Sequence, residues 1–359
     1  MKVNVDEVRV GAVIAEDIMG MTGHPIIPKK TVLTQKHIDV LKAFFKTEVT
    51  IEGRSIKQNK QSNFNSSTNT KIDSLEEINP NLFIKTFEET VKKYKADFQK
   101  WQSGSAVDIA NVRDYLYSLL EQVEKHNINP SFLYLHKKEQ DYLYYHSISV
   151  GIISGLIAKK VGYDKGQYFQ TALAGCLANA GMAKISPWII NKPSALSYEE
   201  SSEIREHPNH SLKMIQNSPL LKAETKLAIF QHHERLDGSG YPMGVKDKQL
   251  YPISRIVAVA DVYHALISDK PYKERIAPLK AIEILQIDGF GKYDISVINA
   301  LLSITANLSI GTKVRISNGQ TGEVIFTKPS AITRPLIKLS DGEIIDLEKA
   351  RDLYIEEVY

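Results

Sequence analysis

QHHERLDGSGYPMG, residues 231–244, places two adjacent histidines and a glutamate directly before a glycine-rich turn that ends in Tyr-Pro. Imidazole is the commonest protein ligand for metals near neutral pH, because its neutral form still offers a lone pair. Glycine adopts backbone dihedral angles that other residues avoid, so a DGSG turn lets the backbone approach a ligand closely. The stretch therefore predicts metal and phosphate chemistry at the end of a helix.

Around this stretch, residues 80–305 have the apolar spacing of helices, with apolar side chains recurring every three or four positions. Ser197 and Glu200 match a capping box, in which each side chain satisfies a backbone N–H at a helix start. Strands and helices do not alternate here, which excludes a parallel sheet, so we predict a mainly α fold. The predicted helices cover Leu82–Trp101, Val107–His126, Tyr142–Lys160, Gln167–Ala180, 222–234, 252–268, 278–287 and 294–305.

The segments outside the helical region have different patterns. Residues 1–53 combine short alternating apolar stretches with one predicted helix, LTQKHIDVLKAFF, which indicates a small α/β module with a regulatory role. Residues 54–79 are rich in Ser, Asn, Gln and Lys and are predicted to be a mobile linker. Residues 309–359 alternate apolar and polar side chains, which predicts a small β module of four or five strands, barrel-like in form. The helical region divides into a connector, 80–137, and a domain, 138–305.

Composition excludes several classes of protein. The 359 residues, of which 43% are hydrophobic and 24% charged, fit a globular chain of two or three domains. A net charge of +3 without long runs of like charge argues against binding to a nucleic-acid polymer or to a membrane surface. Cys176 is the only cysteine, which excludes an internal disulfide and favours a cytoplasmic location. The longest apolar run, Ile148–Ala158, is too short to span a bilayer and predicts a buried helix.

Four of the ten histidines, together with one aspartate in an apolar helix, are the candidate ligands. Taken singly, a histidine on an apolar helix is more often a hydrogen-bonded residue of the core than a ligand, and Asp261 is also consistent with a carboxylate that bonds a hydroxyl. Adjacent residues of a helix point about 100° apart, so His232 and His233 reach one metal only near a helix end, or else serve two metals. As a set they predict a metal site: His146, His207, His232, His233 and Asp261.

At this point the sequence resembles the HD-GYP family, a branch of the HD-domain phosphohydrolases, from about residue 138 to 304. Members of that family are helical, hold two or three metals, usually iron or manganese, and act on the bacterial second messenger cyclic di-GMP. The stretches that carry the resemblance are YYHSISVG (144–151), NKPSALSYEE (191–200), EHPNHS (206–211), HHERLDGSGYPMG (232–244), RIVAVADVYHALISDKPY (255–272) and GFGKYD (289–294).

The chain departs from the family at the dipeptide that names it. Family members carry His-Asp in a segment that here reads CLANAGMAKIS (176–186). Alignment on Gly-Met-Ala-Lys places Ala178 where the family has the histidine and Asn179 where it has the aspartate that both metals share. The usual glycine of the family's HPxxG motif is Ser211. The resemblance therefore implies one transition metal rather than two, iron or manganese with zinc as an alternative, held by His207, His232 and His233. His146, Asp261 and Asn179 remain at the other position.

The resemblance also implies ligands and partners. Lys270 and Lys273 match positions where the family contacts the phosphates of the dinucleotide, although two solvated lysines are an equal alternative. Tyr241 and Pro242 fit the GYP loop, which lies near the site and is thought to contact protein partners. Helices that precede the domain often form homodimers in the family, and residues 82–126 could do so or could pack within one chain.

Two functions remain open. The first is a metal-dependent phosphodiesterase that hydrolyses cyclic di-GMP in bacterial signalling, with turnover reduced by the altered dipeptide. The second is an inactive relative that binds cyclic di-GMP or a protein without turnover. The retained residues of the site favour binding, whereas Ala178 and Asn179 argue against full catalysis.

Overall fold

The computed structural model describes residues 2–5, 8–16, 18–19, 25–27, 29–33, 48–51, 80–126, 128–133, 141–269 and 274–359. The chain divides into two compact units, Met1–Ser74 and Leu75–Tyr359. The predicted linker 54–79, and all of the predicted helix at 33–45 except Leu33, lie outside the described residues. The finer division of the chain into five parts stays a proposal.

The first unit contains two antiparallel strand pairs. Strand β1 (Lys2–Asn4) pairs with β4 (Glu48–Thr50), and β2 (Ile18–Met19) pairs with β3 (Pro25–Ile27). Its buried apolar side chains include those of Val5, Val8, Ile14, Ile18, Ile27, Leu33 and Val49.

The second unit is mainly helical, as predicted. The eight helices whose bounds were predicted from apolar spacing begin and end within about three residues of those bounds, and the capping box of Ser197 and Glu200 is present. The helices at 187–190 and 207–215 had no predicted counterpart. Among the described residues it contains α1 (Pro80–Gln102), α2 (Ile109–Lys125), α3 (Tyr142–Lys160), α4 (Lys165–Leu177), α5 (Pro187–Ile190), α6 (Tyr198–Arg205), α7 (His207–Ile215), α8 (Ala223–Gln231), α9 (Pro252–Ile267), α10 (Pro278–Ile287) and α11 (Ile295–Thr305).

Helix α3 lies at the centre of this unit. Its apolar run, predicted to form a buried helix, is buried from Ile148 to Ala158 except for the partly exposed Leu156. It packs against α4 and α9, while aromatic side chains of α1, among them Tyr94, Phe98 and Trp101, fill the adjoining core. The core thereby positions the first residue of α7, the last turn of α8 and Asp261 of α9 relative to α3, and these parts carry the candidate site.

The C-terminal segment forms one five-stranded antiparallel sheet in the order β8-β7-β6-β5-β9. Its turn at Asp341-Gly342 joins β7 to β8, as the sequence predicts. A barrel-like form is not shown: within residues 309–359, all of which are described, β8 and β9 are the edge strands and no ladder joins them. The strands are β5 (Lys313–Ile316), β6 (Thr321–Phe326), β7 (Leu336–Leu339), β8 (Ile344–Asp346) and β9 (Ile355–Val358).

None of the helices in the described ranges combines the length and the apolar character that crossing a membrane would require.

Candidate metal and phosphate site

Three imidazoles meet at the ends of two helices. His207 is the first residue of α7, and His232 and His233 directly follow the last residue of α8. Because His233 lies beyond the helix, the angular separation of neighbouring helical residues does not apply to it, and both adjacent histidines reach the same place. One ligand nitrogen from each of His207, His232 and His233 lies within 4.8 Å of the other two. These residues form a group that could hold a metal ion.

Hydrogen bonds to backbone carbonyls fix the tautomers of two of these imidazoles. The Nδ1 atom of His207 lies 2.7 Å from the carbonyl oxygen of Ile204, and that of His232 lies 2.7 Å from the carbonyl oxygen of Ile229. A carbonyl oxygen only accepts, so each Nδ1 carries the proton and each Nε2 keeps its lone pair. The two Nε2 atoms face each other at 3.1 Å. Two lone pairs this close repel each other unless a cation lies between them, and carbonyl-anchored imidazoles are typical of metal ligands.

Burial keeps these imidazoles neutral. Removal from water lowers the pKa of His207 to about 3, with a further lowering from the neighbouring His232. Burial also lowers the pKa of His232, and it lowers that of His233 well below the usual range. Neutral imidazoles are the form that binds metals, so the three side chains fit a transition metal in their protonation state as well as in position.

Asp261 of α9 connects this cluster to a second group of polar side chains. Its Oδ2 atom lies 3.8 Å from Nδ1 of His233, and its Oδ1 atom lies 2.9 Å from Nε2 of His146. The amide nitrogen of Asn179 lies 3.5 Å from the same Oδ1. Burial alone would raise the pKa of Asp261, but the hydrogen bond from His146 and the nearby imidazoles hold it well below its usual range. The carboxylate is therefore an anion shared between the two groups.

His264 supports His146 from the side opposite Asp261. The two Nδ1 atoms lie 3.0 Å apart, and the hydroxyl of Ser268 lies 3.2 Å from Nδ1 of His264. His264 is fully buried. Its spacing one turn after Asp261 on the same helix is the signal that sequence analysis could have used to include it.

The segment 178–181 is held against α7 by one hydroxyl. The Oγ atom of Ser211 donates to the carbonyl oxygen of Ala178 and accepts from the N–H of Gly181, both at 2.7 Å. A Cβ at position 181 would lie 2.1 Å from the carbonyl oxygen of His207, so only glycine permits this approach. Ala178 itself is fully buried and contributes no polar atom beyond its backbone. Asn179 therefore faces Asp261 from a turn that the first residues of α7 position.

Glu234 holds the loop that follows the two histidines. Its carboxylate accepts the backbone N–H groups of Met243, Gly244 and Val245 at 2.7, 3.1 and 3.1 Å. The loop returns so closely that a Cβ at Gly240 would lie 2.4 Å from Cα of Glu234. The glutamate is fully buried and serves the loop. Because Glu234 directly follows the two histidines, the sequence alone did not distinguish this structural role from a role in metal binding.

Tyr241 forms one wall of the site. Its ring stacks on that of His233, with 4.7 Å between centroids and 25° between planes, and a cis peptide bond joins it to Pro242. The guanidinium carbon of Arg205 lies 4.5 Å from the centroid of Tyr241 on the α6 side. Arg205 was not predicted from the sequence, because a single basic residue near a helix end is common and does not by itself indicate a binding site.

The structure thus brings together His146, Asn179, His207, His232, His233, Tyr241 and Asp261, with Pro242 beside Tyr241. Lys270 and Lys273 lie outside the described residues, so their proposed contact with phosphate stays a prediction.

Comparison with known proteins finds similarity over the part of the chain that contains this site. The family model described as "HD domain" matches residues 128–297. The chain is 28% identical over 242 residues to a cyclic di-GMP phosphodiesterase of Pseudomonas aeruginosa, a match that covers 67% of this chain and 58% of that protein. It is 31% identical over 166 residues to a cyclic di-GMP phosphodiesterase of Thermotoga maritima, covering 46% of this chain and 45% of that protein.

A third relative is a cyclic di-GMP phosphodiesterase response regulator of Xanthomonas campestris pv. campestris, 32% identical over 158 residues, which are 44% of this chain and 42% of that protein. The chain spans about half the length of these curated relatives. Among solved structures, an HDG"Y"P protein of Bdellovibrio bacteriovorus is 16% identical, with a TM-score of 0.48, over 85% of this chain and 98% of that one.

Proposed function

We propose that this chain, which carries an HD domain homologous to HD-GYP cyclic di-GMP phosphodiesterases, binds cyclic di-GMP beside a single transition metal and hydrolyses it only weakly. The proposal separates two properties that the family combines, namely binding of the ligand and efficient cleavage of its phosphodiester bond. Binding depends on residues that this chain retains. Efficient cleavage depends on the His-Asp dipeptide of the family, which Ala178-Asn179 replace in this chain.

The observation that best supports this proposal is the cluster of three neutral imidazoles. Hydrogen bonds to backbone carbonyls orient two of them so that their Nε2 atoms lie 3.1 Å apart. His207, His232 and His233 would hold the metal, with iron or manganese as the expected ion. A divalent cation held there would supply charge that neutralises a phosphate and would lower the pKa of a water molecule. The protein's own residues then position the ligand, with Tyr241 as a wall and Asp261 orienting His233.

The second metal position has lost two ligands in this proposal. Ala178 offers no side-chain donor, and the amide of Asn179 points its nitrogen, a donor, at Asp261. A neutral amide neither binds a second cation strongly nor offsets its charge. Without a second cation, no group clamps both the attacking and the leaving oxygen of the phosphodiester, which is the usual advantage of two-metal sites.

The direct experiment incubates the purified chain with Mn²⁺ or Fe²⁺ and cyclic di-GMP and separates the products by chromatography. We expect slow conversion in the wild-type chain and at least about tenfold faster conversion after Ala178→His combined with Asn179→Asp, because the pair restores an anionic ligand and an imidazole.

His207→Asn in the double variant is the matched control, because it removes the remaining metal cluster and should abolish the gain. Brisk turnover by the wild-type chain, with no gain in the double variant, would contradict the role given to the dipeptide.

A second candidate is a cyclic di-GMP receptor, or a module that contacts a protein through the GYP loop, without any turnover. The contact of Asn179 with Asp261 favours it, because that contact occupies the carboxylate with a hydrogen-bond donor. Equilibrium binding of cyclic di-GMP with no product after prolonged incubation would select this candidate. Association of two chains through residues 82–126 stays a prediction.

A further inference from the structure

We propose that Arg205 is the residue that anchors a phosphate group of the bound cyclic dinucleotide. The inference rests on the proposed function and assigns the ligand's second charged contact to a side chain outside the matching motifs. The supporting observation is that Tyr241 contacts both His233 and Arg205. His233 belongs to the imidazole cluster, Tyr241 stacks on it at 4.7 Å, and the guanidinium of Arg205 lies 4.5 Å from the centroid of Tyr241.

The stacking fixes the guanidinium but leaves its hydrogen-bond donors available. A cation within about 6 Å of an aromatic centroid is attracted to the face of the ring. Among the described residues, none of the five N–H groups in the plane of this guanidinium has a hydrogen-bond acceptor. The edge of a guanidinium matches two oxygens of one phosphate, which is why arginine binds phosphate in a bidentate manner.

Arg205 is also a cation without a carboxylate partner in the part of the chain that the structure describes. The neighbouring acids are engaged elsewhere, because Glu203 accepts the N–H of Ser186 and Glu206 accepts from the side chain of Asn209. Two other arginines of the helical unit are less available to an anion. Arg255 pairs with Asp247 and Asp294. Arg235 is partly buried, lies 4.7 Å from the centroid of Tyr293 and donates to the carbonyl of Glu234. Arg205 is exposed, so an incoming anion can reach it.

The simplest alternative is that Arg205 merely caps α6, since a basic residue in the last turn of a helix interacts favourably with the helix dipole. That role would affect the stability of the helix but would not discriminate among ligands. The two roles therefore differ in binding experiments that compare ligands with and without phosphate.

The test measures the Kd of the full-length, Mn²⁺-loaded chain by titration calorimetry for cyclic di-GMP, pyrophosphate and guanosine. Arg205→Ala should weaken binding of cyclic di-GMP by about tenfold or more, because it removes charge-assisted hydrogen bonds. The Kd of Arg205→Lys should fall between those of the wild type and Arg205→Ala, since lysine keeps the positive charge but cannot donate two parallel hydrogen bonds to one phosphate. Metal content should stay unchanged in both variants, which a misfolded site would not allow.

Arg113→Ala is the matched control. Arg113 is also an exposed arginine over an aromatic ring, 5.9 Å from the centroid of Phe169, but it lies outside the imidazole cluster. This variant should bind each ligand within about twofold of the wild-type chain.

The outcomes separate the two proposals. Equal binding of cyclic di-GMP by wild type and Arg205→Ala would overturn the anchoring role and leave the proposed function standing. Arg205-dependent binding of pyrophosphate without binding of cyclic di-GMP would support the anion contact and reject the proposed ligand. Equal dependence on Arg205 for guanosine would overturn the phosphate contact in favour of stacking on a base. Absence of binding for all three probes would overturn both proposals.

Discussion

Burial dominates the protonation of the site imidazoles. For His207, His232 and His233 the largest cause of the lowered pKa is removal from water, and the charge of Asp261 acts in the opposite direction. The three imidazoles are therefore neutral at neutral pH and offer nitrogen lone pairs, but the same burial lowers the stability of the folded chain in acid. This dependence on pH is measurable without any ligand.

We predict that the chelator-treated chain loses stability as the pH falls from about 7 to about 5. Unfolded histidines take up protons near a pKa of about 6.5, while His207 in the fold has a pKa of about 3. The unfolded state thus binds more protons in this window, so stability present above the unfolded pKa is lost as the pH falls toward the folded value. Thermal denaturation across this range should show the decline.

His207→Asn should make the decline shallower, because one of the three buried imidazoles no longer titrates on unfolding. A slope identical to that of the wild-type chain would mean that His207 is already protonated, or accessible to water, in the fold.

At the scale of the element, the loop 234–244 depends on one carboxylate. Glu234 accepts three consecutive backbone N–H groups, and the loop carries Tyr241 onto His233. Hydrogen bonds to a charged acceptor stabilise more than neutral ones, each by about 1.5–3 kcal/mol. The loop is thereby bonded to Glu234, which directly follows the imidazole cluster in sequence. Loosening the loop should therefore displace Tyr241, the wall of the site.

Glu234→Gln should speed hydrogen exchange at the amides of Met243, Gly244 and Val245 by about tenfold or more, because a glutamine amide offers one acceptor oxygen and no charge. Mass spectrometry of exchanged peptides gives the measurement. Glu224→Gln is a suitable control on α8, since Glu224 makes only a 3.5 Å contact with the hydroxyl of Tyr251. Unchanged exchange at residues 243–245 would show that the turn holds its shape without the carboxylate.

At the scale of the whole molecule, Arg334 fastens the C-terminal sheet to the helical bundle. Its guanidinium donates to both carboxylate oxygens of Glu283 on α10, at 2.7 and 2.6 Å, and also to three backbone carbonyls. Burial would raise the pKa of Glu283, but the hydrogen bonds from Arg334 lower it. The stability from this pair is present above the unfolded carboxyl pKa and is lost as the pH falls through the lower folded value.

Arg334→Ala should lower the free energy of unfolding by about 2 kcal/mol, because the largely buried carboxylate of Glu283 loses its charge-assisted hydrogen bonds from Arg334 and keeps its 3.3 Å pair with Lys280. Urea denaturation of the full chain, in a double-mutant cycle with Glu283→Gln, gives the coupling. Lys159→Ala breaks the exposed pair with Glu124 and should cost at most about 1 kcal/mol. Additive effects of Arg334→Ala and Glu283→Gln would contradict the role of this pair.

The sequence predicted the parts of the structure that depend on local pattern. Apolar spacing located eight of the helices, and the position of His232 and His233 at a helix end indicated where the imidazole cluster lies. Long-range pairing was less accessible: alternation predicted the strands of residues 309–359 but not whether the sheet closes, because closure depends on contacts between distant strands. The roles of Ser211, Glu234 and Arg205 depend on tertiary geometry, so residue type alone did not indicate them.

The most direct test of the account is the metal content of the purified chain, measured by elemental analysis in the wild type and in His232→Asn. We expect about one transition-metal ion per wild-type chain, as three imidazoles imply, and little or none in His232→Asn that retains the wild-type helical content. A wild-type chain that binds no metal, or a variant that binds as much as the wild type, would contradict the claim that these imidazoles form a metal site.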